Sequence, residues 1–218
     1  MYHTVSKINF TYSVTIMLRL KSLIALFIVS WVFFSCGSGE ERPRLDENGL
    51  TPEINRLVSQ EYLDALVDLG FVINRGGTPP ILSGQFRVSP CYIAKSTAGD
   101  IQGISTRDFF LNLYDQKELT ITVDFKQQSQ EGNDIGSYIV GADDKFSIFV
   151  EVSELNTNTG ARAKVLYAIS GKKTSEGISD IKIANLMLDN FGNPNKIWIP
   201  NGTGRVFMDR DNLASPIQ

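Results

Sequence analysis

Two hydrophobic periods divide the chain. Between Thr51 and Gly70, apolar and amphipathic residues recur at three-and-four spacing through Ile54, Leu57, Val58, Tyr62, Leu66 and Leu69, which predicts one amphipathic helix. Thr51 suits its N-cap, Pro52 its first position and Glu53 its first turn, and Gly70 ends it. Residues 74–80, NRGGTPP, break regular structure, because their prolines and glycines disfavour both helical dihedrals and ladder hydrogen bonds. From Ile81 onward the period is two. In LTITVDFK, Leu119, Ile121, Val123 and Phe125 share one face of a strand, and Thr120, Thr122, Asp124 and Lys126 share the other. KFSIFVEV turns Phe146, Ile148, Val150 and Val152 inward, while Phe149 on the opposite face predicts cover by the helix or a loop. AKVLYAIS gives Val165, Tyr167 and Ile169, and DIKIANLML gives Ile181 and Ile183 before an expected bulge at Ala184–Asn185 moves the pattern to Leu186 and Leu188. Weaker strands are expected at residues 84–89, 91–95, 108–115, 136–141, 195–200 and 204–209. Turn residues at 115–117, 131–134, 141–144, 156–161, 170–174 and 190–193 separate them, with no long helical pattern between. The fold class expected is mainly β, an antiparallel up-and-down β-barrel preceded by one amphipathic helix, with a β-sandwich as the alternative.

Upstream, Arg19 and Lys21 precede the apolar run SLIALFIVSWVFF, which ends at Ser35-Cys36. A charged start and a short apolar core form a secretory signal, and the run is shorter than the roughly 20 residues of a membrane span. Phe33-Phe34-Ser35-Cys36 resembles the lipobox of bacterial lipoproteins, with small Ser35 before the cysteine and Phe33 where the pattern favours leucine. That resemblance implies cleavage before Cys36 and lipid attachment to it. Met17 is the expected true start. The polar stretch after Cys36 reads as a flexible tether, and its Ser38-Gly39-Glu40-Glu41 resembles the acidic segment of surface-exposed Bacteroidota lipoproteins. The expected organisation is a signal over 1–35, a lipidated tether over 36–50, a helix and linker over 51–78, and the β domain over 79–218.

Composition then narrows the chemistry. Beyond residue 35 the chain holds 18 basic and 24 acidic residues, a balance of −6 that disfavours nucleic acid as a partner. The single histidine, His3, falls within the leader, so the expected mature chain lacks imidazole for nucleophile pairs and for most zinc sites. Cys91 would be its one free thiol and is expected to be buried. SGKKT lacks the glycine spacing and following helix of a phosphate loop, and DRDN breaks off from a calcium loop at Leu213. No catalytic residue, metal site or cofactor is expected, although a hydrolase built on paired carboxylates stays open.

LSGQFRVSP, with Gly84 followed by Phe86 at the head of the antiparallel strands, resembles the lipocalin-like (calycin) lipoproteins of the Bacteroidota. Lipocalins proper carry tryptophan where Phe86 stands. The resemblance implies a barrel over about residues 79–210 that holds a small apolar or amphipathic ligand, with Phe86, Tyr138 and Tyr167 as candidate lining residues. The alternative is a structural or protein-interaction subunit with a filled core and an unspecified protein partner. Either way, the expectation is a non-enzymatic cell-envelope protein, lipid-anchored at the outer membrane and periplasmic or surface-exposed.

Overall fold

The computed structural model describes residues 44–193 and 196–217. The expected leader, Met17, Cys36 and the acidic stretch at 38–41 lie outside the described residues.

The expected single helix is two. Helix α1 spans Pro52–Leu57 and α2 spans Gln60–Asp68. Thr51 caps α1 by accepting from the Ile54 amide at 3.2 Å. Val58 is extended, and Ser59 caps α2 by accepting from the Tyr62 amide at 3.3 Å. A β-branched residue followed by a strong capping residue favours a fresh start over a continuous helix. At the far end the Gly70 amide donates to the Val67 carbonyl, with Gly70 at φ +83°. Order begins ahead of the expected tether boundary, because Asp46 accepts from the Leu50 amide at 2.9 Å and Leu50 is buried.

The strands are β1 Gly84–Val88, β2 Cys91–Ser96, β3 Phe109–Lys117, β4 Thr120–Gln127, β5 Gln130–Ala142, β6 Lys145–Asn156, β7 Arg162–Lys173, β8 Ile178–Asp189, β9 Gly204–Asp209 and β10 Leu213–Pro216. All belong to one sheet rather than to the two packed sheets of the sandwich alternative. From β3 to β8 each strand pairs antiparallel with the next in sequence. β1 and β2 follow one another along one side, broken at Ser89–Pro90, and β9 and β10 along another, broken at 210–212. β10 pairs with both β1 and β8, which completes a ring of eight strands, while β9 pairs with β8 and β2 beside it.

Three local expectations change. Residues 131–134 lie within β5, and the turn falls at Gln128–Ser129, where Gln128 takes φ +57°. Residues 170–173 belong to β7, since Gly171 lets β8 approach so closely that a Cβ there would meet Ile178 Cγ2 at 2.6 Å. Residues 196–200 are irregular, because the Asn193 side chain bonds both the amide and the carbonyl of Trp198 and folds this segment into a local turn. The expected bulge at Ala184–Asn185 is absent. Pairing with β7 runs unbroken from Ala168↔Ala184 through Val165↔Met187, and β8 simply buries both faces.

Those two faces carry separate cores. Inside the ring stand Phe86, Leu111, Val123, Phe146, Ile148 and Ile183 among others. Outside it, Val140, Phe149, Leu166, Ala184 and Val206 pack against Ile54, Leu63, Leu66 and Phe71 from the helices and the segment that follows them. Phe149, the residue that predicted cover, meets Phe71 edge-on with ring centroids 6.3 Å apart. Gly76 and Gly141 let this covering segment touch β5, for a Cβ on Gly76 would stand 2.7 Å from the Gly141 carbonyl oxygen.

Candidate functional site

The three aromatic candidates divide between the faces. Phe86 and Tyr167 are buried in the same interior cluster. Tyr138 is half-buried and packs on the outer cluster, where it also lines a groove with Arg44, Pro52, Lys117 and Leu119. Most of the interior is packed solid, with Phe146, Ile148, Val150 and Val152 all fully buried.

Open space lies at one end. Antiparallel alternation brings the β4–β5 turn, the end of β6, the β2–β3 loop and the start of β9 together at the mouth of the ring. Between them is a recess of about 660 Å³. One wall is polar amide and hydroxyl, from Gln127, Gln128, Ser129, Gln130 and Asn156. The opposite wall is Asp100 and Ser105 to Arg107, and Ile93, Arg205 and Phe207 complete the lining.

Arg205 and Asp100 form the best-defined pair. Arg205 Nε donates to Asp100 Oδ2 at 2.6 Å and its Nη2 to Oδ1 at 2.9 Å, a two-pronged contact that fixes both groups. Ser96 Oγ adds a hydrogen bond to Oδ2 at 2.6 Å. The Arg205 hydrogen bonds, opposed by partial burial and helped by Ser96, hold the Asp100 carboxyl below its ordinary range.

A polar row, buried at Glu154 and Tyr167 and half-buried at Asn185 and Arg205, lies along the interior face behind this pair. Strand register sets Tyr167 beside Asn185 and Asn185 beside Arg205 on three neighbouring strands. Asn185 Oδ1 accepts from the Arg205 amide at 3.1 Å. Tyr167 Oη donates to Glu154 Oε2 at 3.1 Å. Glu154 is only 2 % exposed. Burial raises its carboxyl to about 7, against the smaller opposing effects of the Tyr167 hydrogen bond and the Arg205 charge. The Tyr167 ring packs on Phe125 with centroids 4.3 Å apart, and Phe109 links that pair to Phe207 in the recess lining.

Sequence reasoning missed Glu154, Asn156, Asn185 and Arg205. The period of two contained the signal: continued past Val152 it turns Glu154 and Asn156 inward, continued past Ile183 it turns Asn185 inward, and counted back from Phe207 it places Arg205 on the same face. Reading the apolar residues alone ends each strand where its polar members begin.

Other chemistry lies apart from the mouth. Cys91 is buried as expected, and burial pushes its thiol up. Asp209 stands at the break between β9 and β10, accepting from the Ser89 amide at 2.6 Å, and burial raises its carboxyl. Among the described residues no three His, Cys, Asp or Glu side chains converge to hold a metal ion, and no helix is long and apolar enough to cross a membrane. Fold and site together define an antiparallel ring of strands, filled along most of its length and polar at one mouth. Comparison with protein-family models, with curated proteins and with solved structures finds no match to the chain.

Proposed function

We propose that the chain is a non-catalytic, lipid-anchored protein of the cell envelope, in which the ring of eight strands acts as a lipocalin-like barrel and receives a small ligand at its mouth. The observation that carries the ligand reading is the recess of about 660 Å³, a size suited to a small molecule, bounded by side chains from four separate parts of the chain. Its ligand is amphipathic rather than wholly apolar, because the interior that an apolar guest would need is occupied by packed side chains. The recess lining contributes one carboxylate, Asp100, and commits it to Arg205. The anchor rests on the lipobox-like residues Phe33 to Cys36.

The same filled interior favours a second reading, a subunit that works through its surface. Ile101 and Ile104, exposed by 75 % and 48 % on the β2–β3 loop, would then belong to an interface.

Mass spectrometry of the protein extracted from its native membrane tests both. The expected spectrum shows an N-terminus at Cys36 bearing acyl chains and, under native conditions, a bound small molecule. An unmodified Cys36 overturns the anchor, and a protein that reproducibly carries only a second polypeptide overturns the ligand reading in favour of the subunit.

A further inference from the structure

Recess residues differ in how far their hydrogen-bonding capacity is already used. Gln127 is committed, its Nε2 donating to the Arg107 carbonyl at 2.9 Å. Asn156 Oδ1 is committed too, accepting from the amides of Asn158 and Thr159 at 3.1 Å each. Gln128, Gln130 and the Arg107 guanidinium lie in the same lining and have no side-chain hydrogen bond among the described residues. Gln130 is half-buried and stands in register with Gln127 on one side and Asn156 on the other, which places it on the recess face of β5, while Gln128 is exposed at the turn.

Three ligand classes meet this arrangement differently. An alkyl chain laid across the recess would strip water from the amides without replacing its hydrogen bonds, at a cost of about 1–3 kcal/mol for each group left unpaired. A phosphate would find Arg107, yet that guanidinium is exposed and already acts on Asp108, and the amides beside it present acceptors as well as donors to a group that chiefly accepts. A polyol fits both conditions. Vicinal hydroxyls each donate and accept, matching the paired donor and acceptor of a planar amide.

We propose that the recess at the ring mouth is a saccharide-binding site, with Gln128 and Gln130 reading ring hydroxyls. This rests on the small-ligand reading above and narrows it to one chemical class.

The test uses the full mature protein in detergent, applied to an array of neutral mono- to tetrasaccharides, with hits followed by saturation-transfer NMR. A fluorescent fatty acid serves as a parallel probe. The expected result is transfer to ring C–H protons of at least one neutral saccharide, weakened about tenfold by Gln130→Ala, consistent with the loss of hydrogen bonds from one side chain. Gln60→Ala, at an exposed position of helix α2, should leave binding unchanged. Because Gln130 is half-buried at a turn, the urea midpoint of each variant is measured alongside, to separate lost binding from lost folding. Saccharide binding indifferent to Gln130→Ala and Gln128→Ala would overturn the assignment of the site. Fatty-acid binding without any saccharide would overturn the sugar class while leaving a ligand-binding protein, and silence from both probes would overturn both readings.

Discussion

The two faces of the sheet are buried for different purposes. On the outer face, helices α1 and α2 and the segment after them press aliphatic and aromatic side chains onto β5–β9, and the buried Ser147 there serves to tie that segment down, accepting from the Asn74 amide and donating to the Val72 carbonyl. On the inner face, the same alternation buries an apolar core along most of the ring and then continues into Glu154, Tyr167, Asn185 and Arg205 near the mouth. The outer face is a fastening. The inner face holds polar groups where desolvation is costly, and such groups persist in folded proteins when hydrogen bonded. That asymmetry locates the candidate site without reference to any relative.

Perturbing each face should separate these roles. The largest effect is expected from Phe149→Ala, which empties the centre of the outer cluster: a loss of about 3–5 kcal/mol in urea unfolding, with saccharide binding by the remaining folded protein unchanged. Next comes Glu154. Its folded-state pKa, near 7, lies above the ordinary 4.5, so the native state keeps a proton that the unfolded chain has lost. Stability should be highest below about pH 4.5, fall by roughly 3 kcal/mol as pH rises through 7, and then level off, as far as this group contributes. Glu154→Gln should remove that slope in denaturation curves taken across the window, whereas a slope unchanged in the variant would assign it elsewhere. Asp100→Asn should cost about 1–2 kcal/mol through loss of a charged hydrogen-bond pair and loosen the recess wall, visible as faster amide exchange across residues 97–107. Thr51→Ala, removing the cap of α1, should cost about 1 kcal/mol with no effect at the mouth.

Much of the sheet was legible in the sequence because half of each central strand faces a dry interior, so the alternation in residues 119–126 maps directly onto burial, while in residues 146–150 the covering layer buries the outer face as well. Phe149 even announced the covering layer. Legibility failed where local chemistry competes with period. Ser59 divided a helix that the apolar stripe makes continuous, and Asn193 bent an apolar segment that resembles a strand. It failed again in β8, where burial on both faces imitates a change of register. The candidate site was the least legible part, since Glu154, Asn185 and Arg205 become neighbours only once β6, β7, β8 and β9 are aligned.

Closure of the ring depends on β10, four residues that hydrogen-bond to β1 on one side and β8 on the other. Phe86 meets Pro216 across that joint, so the circuit is completed by chain segments far apart in sequence and late to emerge during synthesis. A nascent chain stopped short of Leu213 would leave the facing edges of β1 and β8 bare, each a template for pairing with another molecule. Strand β10 therefore acts as a clasp, guarding the protein against its own oligomers.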